Sequence, residues 1–247
     1  MVSKLTEYDL VRYQRQMIIQ GWGEKGQQKI KNSKIFIIGA GGLGSSVALY
    51  LASAGVGDIR ICDDDRVELS NLNRQILHAD NRLGISKATS AECTLREINP
   101  SISITGVSAC LTEENVQSLI GMPDMIIDCL DNYDTRFLVN SYCLNHGIPF
   151  IHGAVSGLAG QITFIKPYET PCLRCFVPTV PPKSELPIMG ATTGIIGSLQ
   201  AMEALKFITG VGDVLKGRLL FFDGENMSFE TVTMNRRPDC PDCGGIE

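Results

Sequence analysis

The sequence predicts an α/β fold: a mostly parallel sheet with helices on both faces, followed by an antiparallel C-terminal extension. Three observations lead there. Short apolar runs alternate with stretches of helical period over residues 34–155, the order that builds parallel strands with right-handed crossovers. The first run, Ile35-Phe36-Ile37-Ile38, breaks into Gly39-Ala40-Gly41-Gly42-Leu43-Gly44 and resumes as a helical pattern. Beyond residue 156 the strand-like runs read instead as half-buried and antiparallel, and the same part of the chain carries two Cys-x-x-Cys pairs.

Taken in order, residues 6–20 read as an amphipathic helix. Thr6 with Asp9 suggests its cap, and Leu10, Tyr13, Met17 and Ile18 fall near one face. Strands are expected at 34–39, 58–62, 102–107, 125–129 and 149–155, with helices at 43–53, 86–97, 112–120 and 133–146. The runs 161–165, 218–222 and 228–233 are the antiparallel strands, and a strong helix over 193–208 lies among them. The proline-rich stretch 177–187, carrying Pro178, Pro181, Pro182 and Pro187, reads as an irregular loop that is mobile or faces a partner.

Composition narrows the class. A chain of 247 residues with 44% hydrophobic content can bury a sizeable core as one large domain with an appendage. A net charge of -5 with no basic stripe argues against nucleic-acid binding. No apolar run approaches a membrane span, and the polar N-terminus does not read as a signal peptide, so a cytoplasmic location is expected. Of nine cysteines, Cys62, Cys93, Cys110, Cys129 and Cys143 stand singly and read as small buried hydrophobes. The pairs Cys172/Cys175 and Cys240/Cys243 offer four thiolates for a closed tetrahedral Zn²⁺ site, with a redox dithiol as the rival reading.

Gly39, Gly41 and Gly44 match Gly-x-Gly-x-x-Gly between strand and helix, where the backbone can approach a phosphate and the helix N-terminus favours its charge. Taken alone, this Rossmann-like turn with Asp63 at the end of the second strand suggests NAD. Two features point elsewhere. Arg74 and Lys87 follow the acidic strand end Asp63-Asp64-Asp65, and Asp128-Cys129-Leu130-Asp131-Asn132 closes another apolar strand. Carboxylates with paired cations suit Mg²⁺ bound to a triphosphate.

These motifs, with Arg12-Tyr13-Gln14-Arg15-Gln16, Ser70-Asn71-Leu72-Asn73-Arg74-Gln75 and the run Ile195 to Ala204, resemble those of the MoeB/ThiF/HesA adenylyltransferases, relatives of the adenylation half of ubiquitin-activating enzymes. They run in family order over residues 10–245. The resemblance implies one adenylation domain over 1–247, with an N-terminal helical arm at 1–30 and a nucleotide-binding core at 34–155. Residues 156–247 would form the antiparallel extension with its crossover loop and zinc knuckle. It further implies that the C-terminal glycine carboxylate of a small β-grasp, ubiquitin-like sulfur-carrier protein ending in Gly-Gly attacks the α-phosphorus of MgATP, giving an acyl-adenylate and pyrophosphate.

By the same resemblance Gly39, Gly41, Gly42 and Gly44 would cradle phosphate and Asp63 would hold the ribose. Asn71, Arg74 and Lys87 would contact phosphates, and Asp131 would hold Mg²⁺. Asp65, Ser70, Asn73 and Asn132 complete the nucleotide-binding set. Arg15 would reach the ATP site of the other subunit of a homodimer. Zinc would sit on Cys172, Cys175, Cys240 and Cys243. Some members form a covalent link to the carrier through a crossover-loop cysteine. This sequence has none between Cys175 and Cys240, which favours the MoeB type without a thioester step. His78, His146 and His152 read as structural or surface residues. An NAD-dependent oxidoreductase and a non-catalytic scaffold for a β-grasp protein remain alternatives, and the pathway the carrier serves (molybdopterin, thiamine, cysteine or another) stays open.

Overall fold

The computed structural model describes residues 3–180 and 187–244. An N-terminal arm of three helices, α1 (Glu7–Arg12), α2 (Gln14–Met17) and α3 (Gly23–Asn32), leads into β1 (Lys34–Ile38), α4 (Gly42–Ala54) and β2 (Asp58–Cys62). Then follow α5 (Lys87–Ile98), β3 (Ser103–Val107), α6 (Val116–Ile120), β4 (Met125–Asp128), α7 (Tyr133–His146) and β5 (Phe150–Ser156). The C-terminal part holds β6 (Ala159–Ile165), α8 (Leu173–Phe176), α9 (Gly190–Thr209), β7 (Arg218–Asp223) and β8 (Ser228–Thr233).

All strands join one sheet in the order β3-β2-β1-β4-β5-β6-β7-β8. The first five run parallel, and β6, β7 and β8 add antiparallel. The alternation of β1 explains the covering helices. Ile35 and Ile37 pack with Ile30, Val47, Leu51, Leu95 and Ile196 on the face of α3, α4, α5 and α9. Phe36 and Ile38 pack with Val116, Ile120, Phe137 and Leu173 on the face of α6, α7 and α8. A strand covered on both sides must be apolar at every position, hence the unbroken run. Each such side chain contributes about 1.5–3 kcal/mol by leaving water.

The expected strands and most helices form within a few residues of their expected limits. The N-terminal helix does not run through 6–20. Its cap is as expected, with Thr6 Oγ1 accepting from the Asp9 N–H at 3.2 Å and the Thr6 N–H donating to Asp9 Oδ2 at 2.7 Å. The helix breaks at Tyr13, which turns inward, and its hydroxyl accepts from Asn99 Nδ2 at 2.9 Å. Leu10 and Ile18 are exposed, so no continuous apolar face forms. The helix expected at 112–120 begins only at Val116, because the Asn115 side chain accepts from the Thr112 N–H at 2.9 Å and offers the backbone a turn instead. α3 falls largely within the helical arm expected at 1–30, although its glycines and glutamines give no helical pattern of their own, and it docks through buried Gln27, whose Nε2 donates to Ala54 O at 2.9 Å.

Cys62, Cys129 and Cys143 are buried as expected, but Cys93 and Cys110 are exposed. Cys93 stands between Glu92 and Thr94, and Cys110, although flanked by Ala109 and Leu111, lies outside helix and strand in the stretch after β3, so no element buries either. In the proline-rich stretch, 177–180 and 187 carry neither helix nor strand, and 181–186 lie outside the described residues. Among the described residues no helix is long and apolar enough to cross a membrane.

Helices α4 and α9 cross at small residues. A Cβ on Gly197 would stand 2.7 Å from Leu43 O and 2.9 Å from Ser46 Cβ, whereas one on Gly194 would meet nothing closer than Ser46 Oγ at 3.8 Å. Gly197→Ala should therefore cost about 1–3 kcal/mol through overpacking. Gly194→Ala should be neutral or stabilising by up to about 1 kcal/mol. Urea unfolding of the two variants measures the contrast, and equal effects would contradict this account of the crossing.

Candidate active site

β1 lies between β2 and β4, so the chain leaves it in one direction and returns on the other side. That reversal opens a crevice at the C-terminal ends of the parallel strands. The glycine turn lines it. Gly39 has φ +95°, and a Cβ there would lie 2.5 Å from Cys129 O, so only glycine fits. A Cβ on Gly44 would coincide with the Gly39 carbonyl oxygen, which is how α4 starts so close to β1. N-cap Gly41 supplies no side-chain cap, so the first amides of α4 are left to a ligand or water.

A cavity of about 750 Å³ occupies the crevice, within the range of small-molecule sites. One end is apolar, with Ile38, Leu111, Leu130 and Tyr133. Charged groups ring the centre: Asp63, Asp64 and Asp65 from the end of β2, Arg74 and Lys87 beyond it, and Asp131 and Arg136 from the β4–α7 side. The far wall is Ser156, Gln161, Ile188 and Phe221, from the antiparallel part and the approach to α9.

Asp63 is held by the glycine turn: its Oδ2 accepts from the Ala40 N–H at 2.7 Å and its Oδ1 from the Asp65 N–H at 2.9 Å. Burial pushes its carboxyl above the ordinary value, against the opposing pull of the Ala40 N–H and Lys87. Lys87 is only 6% exposed, and its Nζ reaches Asp65 Oδ2 at 2.7 Å. The Arg74 guanidinium is oriented by its own loop, with Nη1 donating to Ser70 O at 2.9 Å and Asn73 Oδ1 at 3.0 Å. His78 bridges the turn to the helix that carries Lys87, its Nε2 2.9 Å from Ala40 O and its Nδ1 2.9 Å from Ser90 Oγ. Since a carbonyl can only accept, Nε2 carries the proton and Nδ1 accepts from the serine.

Beneath the β4 end lies a buried ionic cluster. Asp128 Oδ2 is 3.1 Å from Arg136 Nε and 2.7 Å from His152 Nδ1, and its Oδ1 accepts from the Leu130 N–H at 2.9 Å. Arg136 Nη2 also donates to Leu130 O and, at 3.0 Å, to Gly153 O. Burial alone pushes the Asp128 carboxyl up, but Arg136 and then His152 outweigh it and hold it below the ordinary value. Burial also holds His152 below its ordinary value despite Asp128, so it is neutral. The cluster fixes the carbonyl and amide of Leu130, and so the start of the loop bearing Asp131.

The ThiF family model matches residues 13–242, nearly the whole chain, and spans every element of this site. The chain belongs to the ThiF family. Among similar ThiF-type proteins, the SAMP-activating enzyme E1 of Haloferax volcanii is 40% identical over 250 residues, covering 99% of this chain and 92% of that protein. The adenylyltransferase and sulfurtransferase MOCS3 of Drosophila grimshawi is 44% identical over 98% of this chain. The chain spans about half of that relative, 56% of its length. In fold it matches E. coli MccB solved with ATP, at a TM-score of 0.86 and 23% identity, over 94% of this chain and 73% of that one. MccB with MccA-N7isoASN matches at 0.87 and 22%, over 98% and 77%. The ThiF family is one of adenylyltransferases; the Drosophila relative is named as one and the Haloferax relative as an activating enzyme.

Of the residues singled out in the sequence, Gly39, Gly41, Gly42, Asp63, Asp65, Arg74, Lys87, Asp131 and Asn132 line the cavity together. Gly44 backs it. Asn132 also caps α7, its Oδ1 accepting from the Thr135 N–H at 3.0 Å. Ser70, Asn71 and Asn73 do not line it; Asn71 Oδ1 accepts from the Glu68 N–H at 3.0 Å and shapes the loop. Arg15 is exposed on α2, away from the cavity of its own chain. Cys129 lines the floor, and burial holds its thiol well above the ordinary value, unsuited to act as a nucleophile. Arg136, Gln75 and Thr193 also face the cavity without having been expected there. A lone cation on the inward face of the helix 133–146 was the available signal for Arg136.

Cys172, Cys175, Cys240 and Cys243 are all buried, with their sulfurs within 4.8 Å of one another. Cys172 Sγ lies 3.6 Å from Cys240 Sγ, and Cys175 Sγ 3.4 Å from Cys243 Sγ. Zn–S bonds of about 2.3 Å in a tetrahedron separate sulfurs by about 3.8 Å, so the donor set fits zinc. The turn around Cys240 and Cys243 is further tied to α7 by Asn140 Nδ2 donating to Asp242 Oδ2 at 2.7 Å. Metal analysis of reduced protein should find one zinc per chain, lost in Cys240→Ser with a fall in melting temperature; absence of zinc from the unaltered chain would refute the site.

The cluster also sets a pH dependence. His152 and Asp128 both bind protons more readily in the unfolded chain. Stability should be full above about pH 6.5, decline as pH falls through His152's range, and decline again below about pH 4 through Asp128. Urea unfolding over a pH series checks this, and a pH-independent profile between 7 and 4 would contradict it.

Proposed function

We propose that the chain acts as one adenylation unit over its length, activating the C-terminal carboxylate of a small ubiquitin-like sulfur-carrier protein with MgATP. The observation that carries this reading is the convergence, in one cavity, of the uncapped α4 N-terminus, the Arg74 and Lys87 cations and the Asp131 carboxylate. The apolar end suits an adenine, Asp63 the ribose hydroxyls, and the central cations the phosphates. Asp131 holds the Mg²⁺ that arrives with the nucleotide.

A carboxylate oxygen of the carrier attacks the α-phosphorus, the bond to the bridging oxygen breaks, and pyrophosphate leaves with the electron pair. The product is an acyl-adenylate. A carboxylate is already deprotonated, so no general base is needed. The work falls to orientation and charge neutralisation by preorganised groups. This matches a site in which the two best-placed histidines are committed to structural hydrogen bonds.

The substrate class follows from the relatives, whose names state SAMP activation in one case and adenylyl and sulfur transfer in the other. The carrier ends in Gly-Gly and approaches along the far wall of Ser156, Gln161 and Phe221. Absence of any cysteine between Cys175 and Cys240 supports adenylation without a thioester step. Exposed Arg15, with apolar Val11, Ile18 and Ile19 around it, supports a homodimer in which it reaches the second copy's nucleotide.

Arg74→Ala and Lys87→Ala should each remove about 2.7–4 kcal/mol of transition-state stabilisation, judged from single-donor deletions in oxyanion sites. Carrier-dependent ATP–pyrophosphate exchange should fall by about a hundredfold or more, with circular dichroism unchanged. Near-normal exchange in both variants would sink the assignment. Thermal protection by NAD rather than MgATP would favour the oxidoreductase reading.

A further inference from the structure

Two helix N-termini meet in the wall of the cavity. Gly42 opens the 13-residue α4, and a Cβ there would lie 2.8 Å from Thr193 Oγ1 in the first turn of the 20-residue α9. Neither helix has a side-chain cap; the N-caps are Gly41 and Met189. The start of α9 also rests on the Arg74 loop, since a Cβ on Gly190 would be 2.6 Å from Asn73 O and 3.2 Å from Arg74 Cα. Two positive helix ends and a guanidinium therefore converge on one corner.

Gln75 stands at that corner. It is 5% exposed and lines the cavity, and its side-chain Oε1 is buried with no hydrogen-bond partner. Its Nε2 is the one atom within 4 Å of a Cβ built on Gly41, at 3.7 Å, so the carboxamide lies over the glycine turn. Buried amides are ordinarily paired, and this one lines the cavity with its oxygen enclosed and unmet by any group of the chain. The Nε2 end lies toward the glycine turn, so the amide presents its N–H donors beside the first amides of α4. The neighbouring amide, Asn71, is already spent on its loop.

We propose that Gln75, where the first turns of α4 and α9 meet, binds the pyrophosphate half of the nucleoside triphosphate through its amide N–H groups. The identity of the ligand rests on the adenylation reading. The subsite itself follows from the orphaned amide and the two helix ends. It makes the first turn of α9 part of the phosphate site and adds to Arg74 a neutral donor that is specific for geometry.

Isothermal titration with inorganic pyrophosphate and, separately, AMP tests this on the full chain. Gln75→Glu places a carboxylate where a donor stood and should weaken pyrophosphate binding about tenfold or more. Gln75→Leu keeps the volume, guards against a folding defect, and should weaken it several-fold. AMP affinity should stay within about twofold in both, since one lost contact at the far phosphates leaves the ribose and base sites intact. Unchanged pyrophosphate affinity in Gln75→Leu, or parallel loss of AMP and pyrophosphate, would overturn the subsite. Gln75-dependent pyrophosphate binding by a chain without carrier-dependent exchange would support the subsite and sink adenylation. Normal exchange with Gln75-independent pyrophosphate binding would do the reverse.

Discussion

The fully buried Asp128 carboxylate is the interaction on which the site is built. A charge taken wholly out of water is tolerated only when it is paired and hydrogen-bonded, and removing one partner of such a group costs about 3–5 kcal/mol. Here the partners come from three elements: Arg136 on α7, His152 on β5 and the backbone of Leu130. A fourth element joins through the main chain, as Gln200 of α9 donates to Asp128 O at 2.7 Å. Asp128 therefore ties the ends of β4 and β5 and the start of α7 through its carboxylate, and the middle of α9 through its carbonyl. Those elements, with the loop between β4 and α7, present Asp131, Ala154 and Thr193 to the cavity.

The glycine turn works in the opposite sense, by removing matter rather than adding bonds. Without side chains at Gly39 and Gly44, α4 can begin against the end of β1 with its amides turned to the crevice. Without one at Gly197, α9 can lie against α4. Close helix–helix approach and open backbone donors are thus two results of the same pattern of small residues. The uncapped first amides of α4 lie where the backbone has been cleared, and a polyanion fits there.

Much of this was legible in the sequence, for identifiable reasons. The run Ile35–Ile38 and the turn after it could be read because a strand buried on both faces and a φ of +95° each admit very few residue types. The cysteine pairs were legible because Cys-x-x-Cys spacing lets two thiolates of one turn reach a single metal ion. The N-terminal helix misled, since Leu10 and Ile18 share a helical face with Tyr13 in the sequence, yet only Tyr13 has a pocket to enter. Asn71 and Gln75 illustrate the limit. Both are amides in one short motif, and nothing in their order tells which one turns to the loop and which to the cavity.

By itself the sequence determined the layered α/β architecture, the glycine turn, the cysteine pairs and the inventory of charges, because each depends on local backbone geometry, periodicity or residue chemistry. Only the tertiary structure decided which of those charges meet. Arg136 became a buried partner of Asp128, Asn71 a loop cap and Gln75 a buried amide with an unpaired oxygen, through the way the folded chain packs. Burial and pairing are properties of those contacts, and they change a side chain's charge state and hydrogen-bonding capacity without changing its identity.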